Sequence, residues 1–366
     1  MQKKSLKCEQ RTANSIYYSL KIFLKRYRLT YVPLHFINEL RIIITQIIFS
    51  LFYTIILLPY FIIRNLLYDD IIFGQTCSRL VIHSNTSNYG NWGDGLSCSF
   101  VEYVTGKKVV VCNFLGSHHG ASLIPIKRYS LIGSIISFYS LRNSIVYGTG
   151  IMTAEDAVWD KPQKIISVRG PLTRKALLRK GINCPEKYGD PALLLPLFYS
   201  PKSSKRSGIT LIPNLLTIAY EGNSIPSIKQ LTEKYHCEML SMTDYDKWTD
   251  IIDRIASSSF IISESLHGLI TAETYGIPSV WVELTDHKGY INNNDWCFKY
   301  LDFYESIGKY GMSSIKLYEG FNFDDILREK DKWQPGKINY AELLSLFPFE
   351  IKPEFLPRIK KFLPNN

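Results

Sequence analysis

The stretch IISESLHGLITAETYGIPSVWVEL, Ile261–Leu284, decides the predicted fold because it places a helix between two apolar strands. The run FIISES, which begins at Phe260, and the later run PSVWVEL are short and β-rich, whereas LHGLITAETYG between them is typical of a helix. A helix that connects two buried strands is the crossover of a parallel sheet. His267 falls in the first turn of this helix, directly before Gly268. The stretch therefore predicts a parallel α/β sheet with a histidine where a strand becomes a helix.

The same alternation of strands and helices extends to both sides of this stretch. Upstream there are four short β-rich runs: RLVIHSN (79–85), KVVVCNF (108–114), SIVYGTG (144–150) and KIISVRG (164–170). The helix PLTRKALLRKG follows the last run, with Pro171 in its first turn and Gly181 at its end. The segment Tyr199–Gly208 has the composition of a linker, and strands and helices alternate again after it. We therefore predict an α/β fold with two Rossmann-like domains.

These patterns also predict the domain boundaries. The first Rossmann-like domain covers residues 77–200, and the second covers residues 207–310. Residues 311–366 form a C-terminal extension that we expect to pack back on the domains. Two such domains in tandem leave a cleft lined by the loops at the carboxyl ends of the strands, where open parallel sheets bind their ligands.

The first 76 residues combine a basic segment with an apolar one. Met1–Arg41 contains nine Lys and Arg against two Glu, which is +7 of the formal net charge of +10. The uncharged run Ile42–Ile63 follows directly, so a membrane surface is a better partner for the basic segment than a nucleic acid. Pro59 should kink or end a helix here, and the run either spans the bilayer or only dips into it. We therefore predict that residues 1–76 form a membrane-associated segment.

The seven cysteines are scattered, and they form no CxxC pair and no metal-binding pattern with histidine. We interpret them as mostly free, buried thiols of a reducing compartment. No metal site is expected.

A glycine-rich loop, GNWGDG (90–95), precedes a predicted helix. Its backbone N–H groups can approach an anion, and we assign Asn91 and Gly93 to substrate binding. Asp94 either caps the helix or faces the cleft. The loop is thus a candidate anion site with one carboxylate.

Two further motifs lie at the ends of predicted strands. In SVRGPLT (167–173), Arg169 ends a strand and Gly170 turns the chain into a helix, so that the guanidinium points toward the cleft. Arginine suits bidentate recognition of a carboxylate or phosphate, and the alternative is a salt bridge at the surface. In YGDPALLLP (188–196), Asp190 serves either a turn or the site.

The motif SESLHG (263–268) carries the candidate proton-transfer group. The positive end of the helix macrodipole disfavours protonation of His267, and a histidine so placed can exchange a proton with a bound substrate. The alternative is a structural histidine that caps the helix or bonds to a buried carbonyl group.

Taken in order, the motifs GNWGD, SVRGPLT, GDPAL and SLHGLITAETYGIP resemble the polysaccharide pyruvyl transferase family, particularly its ketal-forming exopolysaccharide members. The run DWCFKYLDFYESIG (295–308) looks like the region that follows in that branch. The resemblance covers roughly residues 80–308. It implies a two-domain, GT-B-like fold and transfer of pyruvate from phosphoenolpyruvate onto two sugar hydroxyls, with release of phosphate and formation of a cyclic ketal. It implies no metal or organic cofactor.

The resemblance also implies roles for individual residues. Asp94 matches the family's acid, Arg169 its phosphoenolpyruvate-binding arginine, and His267 the histidine of its Arg-Leu-His signature. Ser265 stands where that signature has arginine, so either Ser265 donates a hydrogen bond to the substrate or another cation replaces the arginine, Arg174 or Lys299. We assign these further residues to substrate binding: Gly170, Asp190, Ser265, Leu266, Gly268 and Glu273.

Two other functions remain open. HGLITAETYGIP also resembles the nucleotide-binding segment of GT-B glycosyltransferases, with Glu273 on the ribose. A non-catalytic membrane scaffold of polysaccharide assembly is the third possibility, because Ser265 departs from the signature. For the enzyme, the thiols and the need for phosphoenolpyruvate favour the cytoplasmic face of a bacterial inner membrane, with a sugar or a lipid-linked oligosaccharide as acceptor.

Overall fold

The computed structural model divides the chain into two compact units, Met1–Ile63 and Arg64–Asn366. The structure describes residues 44–45, 48, 51, 80–83, 91–111, 127–138, 141, 143–156, 158, 160–203, 205–215, 217–218, 225–284 and 297–363.

In the first unit, Ile44, Ile48 and Leu51 are helical and have exposed side chains. Thr45 is also helical, and the other residues of the predicted membrane-associated run Ile42–Ile63 lie outside the described residues. Where the structure describes the chain, it contains no helix with the length and apolarity that crossing a bilayer requires.

The second unit contains two five-stranded sheets in which every pairing between strands is parallel. The strands of the first sheet are β1 (Leu80–His83), β2 (Val109–Val111), β3 (Arg128–Ser130), β4 (Ser144–Tyr147) and β5 (Lys164–Ser167). Those of the second sheet are β6 (Ile209–Ile212), β7 (Glu238–Met239), β8 (Phe260–Ser263), β9 (Ser279–Glu283) and β10 (Ile315–Lys316). The predicted α/β class with parallel sheets is therefore confirmed.

Among the described residues, the α-helices of this unit with defined bounds are α1 (Trp92–Thr105), α2 (Pro171–Arg179), α3 (Leu195–Phe198), α4 (Pro226–Lys229), α5 (Trp248–Ser257), α6 (Leu266–Thr274), α7 (Phe298–Ser306), α8 (Phe323–Lys332), α9 (Tyr340–Ser345) and α10 (Leu356–Phe362). Short 3-10 turns cover Pro191–Leu194, Leu317–Glu319 and Pro353–Phe355, and a π-turn at Gln230–Lys234 continues α4.

The order of the strands predicts a candidate ligand site at the carboxyl ends of the strands in each sheet. The first sheet has the order β2-β1-β3-β4-β5, and the second has the equivalent order β7-β6-β8-β9-β10. In each sheet the chain adds strands first on one side and then on the other, so the first sheet has a topological switch point between β1 and β3 and the second has one between β6 and β8. Ligands of open parallel sheets bind at such a point, outside the carboxyl ends of the strands. Helix α1 is the next described element after β1, and α6 follows β8. The GNWGD and SLHG motifs thus belong to the switch points of the two sheets.

The C-terminal residues pack on both sheets. Strand β10 pairs with β9 and so enlarges the second sheet beyond residue 310. Leu343, Phe347 and Phe355 are buried in the same apolar cluster as residues of α1 and α6. The Tyr147 hydroxyl on β4 donates a hydrogen bond of 2.6 Å to the backbone carbonyl of Leu343. These contacts hold the segment 315–355 to the core of the second unit.

Candidate active site

The loop between β8 and α6 holds His267 in a fixed position. Ser265 is the N-cap of α6, and its hydroxyl accepts a hydrogen bond of 3.4 Å from the Gly268 backbone N–H. The Ser263 hydroxyl donates to the Ser265 carbonyl at 2.9 Å and accepts from the Ser265 N–H at 3.0 Å. An added Cβ at Gly268 would lie 2.7 Å from the Ser263 hydroxyl, so glycine permits the close packing of α6 on the strand. The first turn of α6 is therefore anchored before any ligand binds.

The imidazole of His267 lies directly against the start of α1. A Cβ added at Gly93 would overlap the Nδ1 atom of His267, so this approach requires glycine. The structure thus brings together the GNWGD and SLHG motifs, which are more than 170 residues apart in the chain. Two helix N-termini, each with its positive dipole end, meet at one imidazole.

His267 is buried, at 8% exposure, and its Nε2 atom has no hydrogen-bond partner within the described part of the chain. Burial is the main reason that the pKa of His267 falls to about 3, and the positive charges of Lys299 and Arg169 lower it further. The imidazole is consequently neutral near neutral pH. Buried polar atoms normally have a partner, so Nε2 is a candidate contact for a ligand.

Asp94 lies in the first turn of α1, one residue after Gly93. Asn91 occupies the N-cap position, which excludes the alternative in which Asp94 itself is the N-cap. The Asn91 side-chain amide donates to an Asp94 carboxylate oxygen at 3.0 Å. Burial raises the pKa of Asp94 to about 6, while Asn91 and the charge of Lys299 limit the rise. Such a carboxyl group changes charge just below neutral pH and is suited to acid-base chemistry.

Lys299 is the second residue of α7 and is buried, at 8% exposure. Burial and the charge of Arg169 lower its pKa to about 8, and the carboxylates of Asp94 and Glu264 partly offset this effect. Its Nζ atom lies 5.1 Å from the centre of the Tyr300 ring. Of the two cations considered as replacements for the family arginine, Lys299 therefore shares the electrostatic environment of His267 and Asp94.

The other cation, Arg174, is engaged elsewhere. Its Nε donates a hydrogen bond of 3.1 Å to the Cys184 carbonyl, and its charge lowers the pKa of Cys184 and of Tyr188 against the larger effect of burial. Arg174 is not among the charged groups that shift the pKa of His267, Asp94 or Lys299.

Arg169 is fully buried beside this cluster, and each of its three nitrogen atoms has a protein partner. Nε donates to the Asp302 carboxylate at 3.0 Å, Nη1 donates to the Ser134 hydroxyl, and Nη2 donates to the Ile151 carbonyl at 2.7 Å. The guanidinium also packs directly against Gly150. The salt bridge considered from the sequence does exist, but it is in the interior rather than at the surface. Arg169 acts on His267 and Lys299 through its charge.

Asp302 is a partner that the sequence analysis missed. This buried residue of α7 also accepts hydrogen bonds from the Thr173 N–H at 2.8 Å and the Thr173 hydroxyl at 2.6 Å. A Cβ at Gly170 would overlap the Asp302 backbone carbonyl, so Gly170 permits the contact between α7 and the start of α2. The available signal was indirect: a buried arginine requires a carboxylate, and α7 supplies one three residues after Lys299.

Three other residues that were predicted to bind substrate have partners within the protein or are buried in its core. Asp190 caps the turn Pro191–Leu194 by accepting from the Ala192 N–H at 2.9 Å, and burial raises its pKa to about 7. Glu273, near the end of α6, accepts from Lys309 Nζ at 2.6 Å and from the Gly336 N–H. The side chain of Leu266 is buried in the apolar core. The sequence suggested the turn role of Asp190 but gave no indication of the partners of Glu273.

The arrangement around His267 can bind an anion and transfer protons. A neutral imidazole, a carboxyl group of raised pKa and an ammonium group of lowered pKa lie at the starts of α6, α1 and α7. Helix N-termini favour anions, and groups with shifted pKa values that interact with one another are typical of active sites.

A family model described as polysaccharide pyruvyl transferase matches residues 7–287, which is more than three quarters of the chain. No curated protein and no solved structure matches. The matched range includes Asp94, Arg169 and His267 but ends before Lys299 and Asp302.

Proposed function

The chain belongs to the polysaccharide pyruvyl transferase family, and from this premise we propose that it moves pyruvate from phosphoenolpyruvate onto two hydroxyls of a sugar. The product is a cyclic ketal on a polysaccharide or on its lipid-linked precursor, and phosphate is released. The observation that carries the proposal is the buried Nε2 of His267, which has no hydrogen-bond partner among the described residues and lies at two helix starts near an acid and a cation. No metal or organic cofactor takes part in the proposed reaction.

Ketal formation requires one proton donor and one proton acceptor. The enol carbon of phosphoenolpyruvate takes up a proton, which leaves a cation-like centre on the adjacent carbon that bears the phosphate. A sugar hydroxyl attacks this centre and loses its proton, phosphate departs, and the second hydroxyl closes the ring and loses its own proton. The net reaction converts a diol and phosphoenolpyruvate into a ketal and inorganic phosphate. General acid–base catalysis of this kind contributes roughly 10²–10⁴ in rate.

We assign the proton transfer to carbon to His267 and the activation of the acceptor hydroxyl to Asp94. With its pKa near 6, Asp94 is mostly ionised at neutral pH and can accept a proton. His267 is neutral in the empty site because of burial and nearby positive charge. A polyanionic substrate compensates that charge and raises the pKa of the imidazole, so the substrate itself favours the protonated donor. Arg169, whose Nε donates a hydrogen bond to Asp302, contributes its positive charge, which affects the pKa of His267.

The contacts of Glu273 favour pyruvyl transfer over sugar-nucleotide transfer. A GT-B glycosyltransferase would use this carboxylate on the ribose of its donor. Here both carboxylate oxygens have protein partners, and the side chain is only 1% exposed. The glycosyltransferase alternative therefore loses the residue that suggested it.

We also propose the arrangement and the location in which this reaction takes place. The two parallel sheets, each with a switch point, support a GT-B-like pair of domains with the boundaries predicted above. The basic segment Met1–Arg41, the apolar run Ile42–Ile63 and the exposed side chains of Ile44, Ile48 and Leu51 support association with a membrane surface. The cytoplasmic face of a bacterial inner membrane supplies both phosphoenolpyruvate and lipid-linked acceptors.

The test uses the full chain in detergent with phosphoenolpyruvate and a panel of galactosides, glucosides and N-acetylmannosaminides. We expect acceptor-dependent release of phosphate and a product whose mass has increased by one pyruvate ketal. Transfer of a hexose from a sugar nucleotide would support the glycosyltransferase instead. Binding of neither donor would favour the scaffold.

A further inference from the structure

We propose that the outer face of helix α2, together with the start of strand β5, binds the surface of a membrane that contains anionic phospholipids. Five exposed cations form this region, which we call the α2 surface: Lys161, Lys164, Lys175, Arg179 and Lys180. The inference rests on the membrane association proposed above, and it adds a contact made by the second unit.

The excess positive charge of the second unit is concentrated in one segment. Residues 161–185 contain seven Lys and Arg and no Asp or Glu, whereas the rest of the unit contains 27 Lys and Arg against 31 Asp and Glu. Two of the seven cations are used within the protein, because Arg169 is buried in a salt bridge and Arg174 donates to a backbone carbonyl. The other five are those of the α2 surface.

The five cations of the α2 surface face solvent. None of them forms a salt bridge with another residue that the structure describes. One acid lies near the helix: burial and the charge of Asp302 raise the pKa of Glu305 on α7, and the charge of Lys175 lowers it. The surface is therefore strongly basic and its charge is not neutralised by the described part of the protein.

Helix α2 has one face toward the protein and one toward solvent. The face toward the protein consists of buried residues: Thr173, Ala176 and Leu177. Lys175, Leu178 and Arg179 have the spacing of neighbours on the other face, and Leu178 is 41% exposed. A Cβ added at Gly181 would meet no atom within 4 Å, so the space beyond the end of the helix is open. A flat partner can therefore approach the whole outer face.

The topology brings the end of α2 next to the start of β5. A parallel bridge joins Val168 to Tyr188, so the chain after α2 returns in the direction of β5 and α2 itself runs the opposite way. The four residues of β5 and the nine residues of α2 each cover about 13 Å. Arg179 is thus level with Lys164, at the amino ends of the strands. The α2 surface lies away from the carboxyl ends, where we place the active site, so a membrane bound there leaves the site open.

The composition of the segment favours a lipid surface over other polyanions. Clusters of about four to eight Lys and Arg on a helix are typical of binding to anionic lipids. Residues 161–185 contain no Phe, Tyr or Trp, whereas proteins that bind single-stranded nucleic acids stack the bases on such side chains. Because the apolar face of α2 is buried in the protein, the contact is electrostatic rather than an insertion into the bilayer. It should therefore require anionic lipid and weaken with salt.

The experiment measures amide hydrogen exchange in α2 of the full chain by mass spectrometry. The protein is reconstituted with vesicles of phosphatidylcholine alone or with about one third phosphatidylglycerol. At low salt we expect residues 175–180 to exchange at least about fivefold more slowly with the anionic vesicles, since each basic residue near such a surface contributes about fivefold to binding. The difference should disappear at about 1 M salt, where the Debye length is about 3 Å. Equal exchange with both vesicles at low salt would overturn the proposal.

A triple variant separates the α2 surface from the basic segment Met1–Arg41, which the full chain retains. With Lys175→Gln, Arg179→Gln and Lys180→Gln, the two kinds of vesicle should give the same exchange in α2. The matched control is Arg328→Gln, Lys330→Gln and Lys332→Gln on α8, which removes the same charge from a helix that also carries acids. The control should keep the difference between the vesicles. If the first triple variant also keeps it, the α2 surface is not the contact.

A soluble polyanion tests the other partners. Dextran sulfate stands in for an anionic polysaccharide, and a DNA duplex for nucleic acid. If either slows exchange in α2 with the neutral vesicles more than phosphatidylglycerol does, the surface binds that class of polymer and the lipid proposal is wrong.

Activity in detergent distinguishes failure of this inference from failure of the proposed function. The first triple variant should make the ketal at the normal rate in detergent, and a large loss there would show that α2 acts on the site rather than on a membrane. If the unmodified chain makes the ketal but α2 exchanges equally with both vesicles, the function stands and the α2 surface is wrong. If α2 is protected by anionic lipid but no acceptor yields a ketal, the surface stands and the proposed reaction is wrong.

Discussion

The loops after β5 and β8 each lead from a strand into a helix, but their main polar side chains have different partners. In the first loop, Arg169 has three hydrogen-bond partners, one of which is Asp302 of α7, and Asp302 itself accepts three hydrogen bonds. In the second, the Nε2 of His267 is buried without a partner in the described residues. We infer that the first loop serves mainly stability and the second mainly chemistry.

Replacement of His267 should give the largest effect, and it tests most directly whether the loop after β8 serves chemistry rather than stability. We expect His267→Ala to lower turnover by about 10²–10⁴, because proton transfer to carbon loses its donor. The free energy of unfolding should change by less than about 2 kcal/mol, because the Nε2 atom has no hydrogen-bond partner among the described residues to lose. Steady-state kinetics and urea unfolding measure the two effects. Near-normal turnover would refute the assignment of His267.

Removal of Asp302 should have the opposite pattern. Asp302→Ala leaves the buried guanidinium of Arg169 without its carboxylate, which costs about 3–5 kcal/mol in the free energy of unfolding. The double variant Arg169→Met, Asp302→Leu should recover part of this loss, since an apolar pair needs no compensation. Urea unfolding compares the single and double variants. A single variant as stable as the unmodified chain would show that the first loop does not depend on this pair.

Patterns in the sequence were sufficient for the strands and helices that are apolar and local. The runs Phe260–Ser263 and Ser279–Glu283 are strands of one parallel sheet, as predicted, with α6 between them. The helix predicted from Pro171 is also confirmed. These elements carry their own signals, namely buried β-branched residues, a proline in the first turn and a serine cap.

Elements whose signals are not local were missed. Strand β3 (Arg128–Ser130) places Arg128 and Ser130 on its buried face, so it lacks the apolar pattern of a strand. The link between Arg169 and Asp302 spans 133 residues and depends on the position of α7. The sequence named Lys299 only as one of two replacements for an arginine, because its burial beside Asp94 is a property of the tertiary structure. Hydrophobic periodicity carries no information on such pairings.

The contact between α1 and α6 gives a sharper test of how the second loop is assembled. Gly93→Ala would push its methyl group into the imidazole of His267. Since a displacement of about 1 Å at a reacting group can cost on the order of 10² in rate, we expect a loss of turnover of that size. Gly95→Ala, two residues further along the same helix, is the matched control for helix propensity. Equal kinetics for the two variants would show that the contact does not position the histidine.

The pH profile of kcat at saturating donor should show an acidic limb, because the bound donor favours protonated His267 and Asp94 must be ionised to accept a proton. Activity should therefore rise as pH increases through about 6, by about tenfold per pH unit. The phosphate of the donor also titrates near pH 6, so Asp94→Asn distinguishes the two causes: an acidic limb that persists in its residual activity belongs to the substrate.

Ser265 should give the smallest effect, and it separates the two ways in which the missing arginine is replaced. If Ser265 only caps α6, Ser265→Ala costs about 0.5–1 kcal/mol in the free energy of unfolding and leaves KM for phosphoenolpyruvate unchanged. If its hydroxyl also donates to the substrate, KM increases by more than the loss of stability explains. The first result would show that the hydroxyl is fully accounted for by the helix that it begins, so that the charge of the missing arginine must come from another residue. The second would place the hydroxyl at the start of α6 in the anion site.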